Sequence, residues 1–546
     1  MTRRKPSEHT RPLDDGTEHP YRAWLAPGPA PGLVLFSGCH AHSGRLQRLV
    51  DDLDLPDVSV FAWDGRGPGR SVDARDGAPG VAGLVQDADA FVRFVSDRHG
   101  VPIDRMVVMG GSVGSVIAAA WVHDHAPPIR GMVLGCPAFR VTRTLPFALP
   151  LLRRRARVSA AVALLLGLHN TATRIVADAG AIDVPTLLLA AGSDRLVRLA
   201  PQRRFVQGLS STTRAIEVYP GLSHRLFDEA GRAGPIGRAR RFIRERLDGS
   251  PAASCRLQAD RIGYTHDEYE RLRRPLPAWS PRGLAFGALR GLLGTAGRLS
   301  EGIRRARQTG FDSGVSLDYV YENRARGTGP LGRWLDRRYL DAVGWRAIRR
   351  RKANLEHALG EAVRRVSTGG QPVHLVDVAA GPGRYVLDLL RRLPPGRVTA
   401  LLRDRDPRNL MAGRRLAAGL GLRGVTYAEG DAFDEADLAR LAPTPTIAVV
   451  SGLYELVPDN GTGLRSLRGL YAALRPGGYL VYTNQPWHPQ LELIARVLCT
   501  CEGRPWVMRR RTQAEMDELV RQAGFAKVAS EVDEDGIFSV SLGVRR

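Results

Sequence analysis

The sequence has almost no lysine. Only Lys5, Lys352 and Lys527 stand among 79 basic residues, so arginine carries nearly all of the formal net charge of +23. Aromatic residues make up 6 % of the chain, and there are five cysteines in 546 residues. No apolar run approaches the roughly 18–20 residues that a membrane-spanning helix needs. The longest candidate, "VSAAVALLLGLHN", is too short and follows the basic stretch 153–157. The N-terminal "MTRRKPSEHTRPLDDG" is basic but has no apolar core behind it, unlike a secretory signal. Cys39, Cys136 and Cys255 are far apart, and Cys499 and Cys501 lack a second Cys or His pair. All five read as reduced thiols, and no metal site is expected. These absences point to a cytoplasmic protein, soluble or peripherally attached.

What is present suggests more than one core. The chain is 43 % apolar and too long for a single domain. Strand-like runs at 32–36, 58–63, 106–110, 131–135, 186–192 and 215–220 alternate with helical patterns. The same rhythm returns at 373–379, 398–402, 425–430, 446–452 and 478–484, before a closing antiparallel pair joined through Asp535-Gly536. Such alternation predicts two mostly parallel α/β sheets. Residues 1–19 read as a tail, 20–248 as the first domain, 249–365 as a basic linker and helical region, and 366–546 as the second domain. The middle region carries Arg298, Arg304, Arg305 and Arg307 among apolar residues. It reads either as helices packed on the second domain or as an amphipathic segment on an anionic membrane surface.

In the first domain, "VVMGGSVGSVIAAAW" runs from a strand through Gly110-Gly111-Ser112-Val113-Gly114 into a helix. A G-x-S-x-G turn in that setting projects a serine hydroxyl above the sheet edge. Asp194 follows a strand in "LLLAAGSDRLV", and His224 lies in "VYPGLSHRLFDEAG", so the order is Ser…Asp…His. In that arrangement His224 would take the Ser112 proton while Asp194 orients the imidazole. The oxyanion donors would be the N–H groups of Val113 and of Cys39, in the loop "FSGCHAHSGR". Here the chain resembles the monoacylglycerol lipase/serine aminopeptidase-like branch of the α/β-hydrolases. "SGCHAHSGR" (37–45) stands where that branch has HG-x-x-x-HS-x-R, with Ser37 replacing the usual His, and "DGRGPGRS" (64–71) matches D-x-R-G-x-G-x-S. The resemblance implies a cap at about 140–175, whose apolar and basic character would suit an acyl chain with an anionic head or simply bury its own face.

In the second domain, "VHLVDVAAGPGRYVLDLLRR" is a strand, a glycine turn and a helix. Gly381 and Gly383 allow a ligand close to the backbone, as dinucleotides or S-adenosylmethionine would require. The dinucleotide fingerprint G-x-G-x-x-G fails at Val386, whereas Asp377…Gly381…Gly383 supplies D-x-x-x-G-x-G. Ala379 belongs to the same turn. Asp404, with Asp406 as fallback, is placed for ribose hydroxyls, and Asp431, beside Ala432, for the adenine amino group. This half resembles a class I methyltransferase that uses S-adenosylmethionine, and the whole chain resembles fusions in which an α/β-hydrolase precedes such an enzyme. "FDSGVSLDYVYEN" and "SGLYELVPDNG" resemble segments of that methyltransferase type. Tyr454, Glu455, Asn484, Trp487 and His488 are expected to line the acceptor pocket, His488 serving either as a general base or as a helix cap. The N/D-P-P-Y/F signature of amino-group methylation on nucleic acids is absent after "IAVVSG". The sequence therefore reads as a serine hydrolase and a methyltransferase acting on lipid-like or small molecules, with nucleic acid disfavoured as a partner. The alternatives are an RNA-binding methyltransferase on an inactive hydrolase scaffold, and a peripheral membrane protein.

Overall fold

The long apolar runs of the first half become strands buried on both faces. In the computed structural model, which describes residues 4–12, 18–36, 46–63, 80–141, 160–250, 255–370 and 372–546, the chain divides into two units, Met1–Ser254 and Cys255–Arg546. The first unit holds β1 (Ser7–Pro12), β2 (Glu18–Trp24), β3 (Gly32–Phe36), β4 (Ser59–Trp63), β5 (Met106–Gly111), β6 (Gly131–Gly135), β7 (Thr186–Ala191) and β8 (Arg214–Tyr219). Their order in the sheet is β1-β2-β4-β3-β5-β6-β7-β8. The strands from β3 to β8 pair in parallel, and only β1 and β2 run antiparallel to their neighbours.

Every residue of β3, β4, β6 and β7 is buried, as expected of parallel strands covered by helices on both faces. β1 was not legible: residues 7–12 fall in the stretch read as a tail, yet they pair with β2 from Ser7 opposite Ala23 to Pro12 opposite Glu18. An edge strand with no fully buried residue carries no apolar alternation, so nothing in its composition marks it.

The helix Val113–His125, which follows the glycine turn, is held by a buried ionic cluster. His123 bridges the carboxylates of Asp124 and Asp178 at 2.7 Å each, and Arg174 forms a fork on Asp124. Two carboxylate partners require both ring nitrogens to donate, and despite burial they hold the His123 pKa above its ordinary value.

The second unit contains β9 (Val373–Asp377), β10 (Val398–Asp404), β11 (Val425–Glu429), β12 (Ile447–Val450), β13 (Tyr479–Asn484), β14 (Phe525–Val532) and β15 (Ser539–Arg545). The order is β11-β10-β9-β12-β13-β15-β14, parallel except for the antiparallel β15 and its hairpin partner β14. Strand order reverses between β9 and β12, which opens a crevice at their carboxyl ends. The helices from Tyr264 to Thr368 belong to this unit. Phe311, Tyr319, Leu340 and Ile348 share a core with Ile537 and Phe538 of the β14–β15 connection. Asp336 pins several of these helices: its carboxylate accepts from Ser300 Oγ, Tyr319 Oη, and the N–H groups of Gly302 and Arg326. Among the described residues, no helix is long and apolar enough to cross a membrane.

Three consecutive arginines, Arg509, Arg510 and Arg511, are buried. Arg509 pairs with Glu515, and Arg510 pairs with Glu268. Arg511 donates to the carbonyls of Tyr454, Val457 and Asp459 and to Asn460 Oδ1, closing the turn that enters the helix Asn460–Ala473. Replacing Arg511 by Met would leave these acceptors without their donor, those of Tyr454 and Asn460 in buried residues. A loss of about 3–5 kcal/mol is expected, the scale for a broken buried ionic network. Hydrogen-exchange protection of peptides spanning 454–473 should fall accordingly; wild-type protection in the variant would contradict this account of the turn.

Candidate active sites

At the carboxyl end of β5 the chain turns sharply into the helix Val113–His125. The turn places Ser112 at φ 53°, ψ −114°, a conformation that L residues adopt only under constraint. Gly110 makes the turn feasible, because a Cβ there would meet the Gly114 carbonyl and Ser115 Cα at 2.7 Å. The Ser112 N–H donates to Gly135 O, which fixes the elbow to β6. The imidazole of His224 lies 2.9 Å from Ser112 Oγ through Nε2 and 2.8 Å from Asp194 Oδ2 through Nδ1.

Because a carboxylate only accepts, Nδ1 carries the proton and Nε2 is free to accept from the serine hydroxyl. Asp194 Oδ1 accepts from the N–H groups of Leu196 and Val197, which holds the carboxylate toward the ring. Val113 is the first residue of its helix, so its N–H has no intrahelical acceptor. Cys39, the loop 37–45, the segment 64–71 and residues 142–159 of the anticipated cap lie outside the described residues.

One residue beside these three carried no signal beyond being a cysteine. Cys136 is buried, and its Sγ and the ligand atoms of Asp194 and His224 all lie within 4.8 Å of one another. Burial pushes its thiol up to about 12, so it stays protonated. A cavity of about 490 Å³ opens at Ser112 and His224, with Leu84, Ile117, Leu164, Leu168 and Phe227 in its wall.

In the second unit, the turn after β9 holds Gly381 at φ 56° and Gly383 at φ 77°. A Cβ at Gly383 would meet Leu402 Cδ1 at 2.5 Å. The turn walls a cavity of about 370 Å³, together with Ala379, Asp404, Asp431 and Ala432. Asp404 Oδ2 accepts from Gly381 N–H at 2.8 Å, and Oδ1 accepts from Asp406 N–H and Asn409 Nδ2. About one of its four lone-pair positions is thus left for a ligand hydroxyl. Asp431 spends one oxygen on Phe433 N–H. A crevice at the switch point, glycines that let a ligand approach, and two carboxylates with spare acceptor capacity suit a nucleoside-bearing cofactor.

Asp377 is placed differently from its expected role. It is fully buried and lies behind the cavity wall, accepting from Tyr385 Oη and Ala379 N–H. Burial pushes it up to about 7 against the pull of the Tyr385 hydroxyl. It braces the turn and does not line the cavity.

The expected acceptor residues also fall elsewhere. Tyr454 donates to Ser466 Oγ, and Asn484 Nδ2 donates to Arg511 O and Gln513 Oε1. His488 Nδ1 accepts from Gln490 N–H, and burial pushes its pKa down to about 4, leaving a neutral packed ring. Neither these three, nor Glu455, nor Trp487 lines the cavity. The reason is the 3₁₀ turn Tyr454–Leu456, whose three-residue period presents Leu453 and Leu456 to the cavity and turns Tyr454 and Glu455 away.

Sequence reasoning missed Arg351. This residue is 4 % exposed, lines the cavity, pairs with Glu455 at 3.6 Å and lies over the Phe538 ring. Gly452 accommodates it, since a Cβ there would meet Arg351 Nη1 at 2.9 Å. Arg351 sits inside an arginine-rich helix, so only packing distinguishes it from its exposed neighbours.

Comparison with known proteins places each half of the chain in a family. A family model described as "Putative methyltransferase" matches residues 239–545. One described as "Serine aminopeptidase, S33" matches 28–163 and 150–231. The chain is 42 % identical over 582 residues to the uncharacterized protein YnbC of Escherichia coli strain K12, spanning 100 % of this chain and 99 % of that one. It is 24 % identical over 261 residues to a monoacylglycerol lipase of Mycolicibacterium smegmatis, spanning 41 % of this chain and 91 % of the lipase. It is 22 % identical over 255 residues to phospholipase YtpA of Bacillus subtilis, spanning 40 % and 97 %. The chain belongs to the methyltransferase family whose model spans its second half, and it carries an α/β-hydrolase domain of the serine aminopeptidase type ahead of that half.

Proposed function

We propose that the chain has two active sites: a serine esterase of the lipase type, and a methyltransferase that uses S-adenosylmethionine. The observation that carries the first half is the continuous Ser112–His224–Asp194 hydrogen-bond chain at 2.9 and 2.8 Å. Ser112 Oγ attacks the ester carbonyl while His224 Nε2 takes its proton, and Asp194 stabilises the resulting imidazolium. The oxyanion faces the Val113 N–H, and Cys39 N–H is the second donor in this reading. His224 then protonates the departing alcohol, and a water deprotonated by the same nitrogen releases the acid. The apolar wall at Ser112 supports an acyl chain as the group cleaved. The two hydrolase relatives, a monoacylglycerol lipase and a phospholipase, support a lipid substrate.

For the second half, S-adenosylmethionine when bound supplies an electrophilic methyl group. The backbone at Gly381 and Gly383 would approach it, Asp404 would accept from a ribose hydroxyl, and Asp431 with Ala432 would border the adenine. Methyl transfer then depends on alignment of the acceptor rather than on covalent chemistry by the chain. The net charge of +23, together with the exposed Trp279, Leu284 and Leu292, supports peripheral contact with an anionic membrane.

Ser112→Ala should lose fluorophosphonate labelling and reduce hydrolysis of a p-nitrophenyl acyl ester by roughly 10⁴-fold or more. A wild type that resists labelling would contradict the esterase. Asp404→Ala should weaken S-adenosylmethionine binding by about 10- to 100-fold, the value of a hydrogen bond to a charged acceptor. Calorimetry on the full chain measures this, and equal affinity in the variant would exclude the assigned role of Asp404.

A further inference from the structure

Three arginines line the glycine-turn cavity, Arg351, Arg384 and Arg405, and they stand in different states. Arg384 is taken up by a fork on Asp318, and Arg405 is exposed. Arg351 is buried, and it reaches the cavity from the helix Val343–Thr368, which lies ahead of the sheet in the chain. Its Nη atoms lie against Gly452, where a Cβ would stand 2.9 Å from Nη1 and 3.2 Å from Nη2, and Gly452 itself lines the cavity. Its counter-ion, Glu455, is 3.6 Å away and does not line the cavity. The wall therefore presents the cation to the cavity and keeps the matching carboxylate behind it.

The place of this cation follows from the sheet. The strand order β11-β10-β9-β12 sets the cavity's groups in a row along one edge. Asp431 follows β11, Asp404 ends β10, Gly381 follows β9, and Gly452, with the Arg351 guanidinium on it, follows β12. Neighbouring strands are about 5 Å apart, so β12 runs roughly 10 Å from β10, with the glycine turn between them. The row thus leads from acceptors at one end to a cation at the other. S-adenosylmethionine has the complementary polarity. Its adenine amino group and ribose hydroxyls donate hydrogen bonds, and its methionine chain, several bonds beyond the ribose, ends in a carboxylate.

We propose that Arg351 binds the carboxylate of S-adenosylmethionine. The proposal rests on reading this cavity as the cofactor's seat. With Asp404 holding the ribose and Arg351 the carboxylate, both ends of the cofactor are fixed and its sulfonium is held between them, over the glycine turn. A guanidinium suits this task because its planar fork matches a carboxylate. Arg351 makes no bond in the methyl transfer; it binds and orients. The helical region ahead of the sheet is then part of the cofactor site rather than a linker to it.

The test compares two ligands on the full-length chain by calorimetry: S-adenosylmethionine and its decarboxylated form, which lacks only the carboxylate. The wild type should bind S-adenosylmethionine about 10- to 100-fold more tightly, the value of a hydrogen bond between charged groups. Arg351→Gln should bring the two affinities within about threefold of each other by weakening S-adenosylmethionine alone. Arg351→Gln combined with Glu455→Gln, which leaves no lone carboxylate in the buried pair, should do the same, and thermal unfolding of each variant separates binding from folding. A wild type that binds both ligands equally would overturn the assignment, since nothing in the chain would then read the carboxylate. Variants that lose affinity for both ligands in the same proportion would also overturn it, leaving Arg351 a packing role. A wild type that binds neither ligand would instead overturn the cofactor reading, and the role of Arg351 with it.

Discussion

In a parallel sheet every strand ends at the same edge, and the helices that follow begin there with unpaired N–H groups. Both units depend on this constraint. β5 delivers Ser112 to such an edge, and β7 and β8 deliver the loops bearing Asp194 and His224. β9, β10 and β12 do the same for Gly381, Asp404 and Gly452. Residues up to 112 positions apart in sequence thus meet within hydrogen-bond distance. The backbone is tightest where it turns back from strand to helix, which is why Ser112, Gly381 and Gly383 all have positive φ.

Buried charge falls into two kinds. Arg511, His123 and Asp336 are surrounded by partners of the chain's own making, and they hold turns and helices in position. Taking such groups out of water is tolerable only when their hydrogen-bonding capacity is met. Arg351 is different. Its Nε has no hydrogen-bond partner among the described residues, and it lines the glycine-turn cavity.

The apolar runs at 32–36, 106–110, 131–135 and 186–192 were legible as strands because burial on both faces demands unbroken hydrophobicity. The order Ser112, Asp194, His224 was legible because each residue stands just past such a run. The edge strand Ser7–Pro12 was not, since a half-exposed polar strand has no pattern to show. The residues around 454–455 and 484–488 looked like pocket residues by the same strand-end logic. It failed where a 3₁₀ turn rotated Tyr454 and Glu455 away and packing enclosed Asn484 and His488.

Local pattern alone therefore determined two α/β domains, a serine on a glycine elbow and a glycine turn between acidic strand ends, because each is written within a few residues. Tertiary structure decided which of many similar arginines are buried and where Asp377 points. Those outcomes depend on contacts between segments far apart in the chain, and composition has no means of recording such distances.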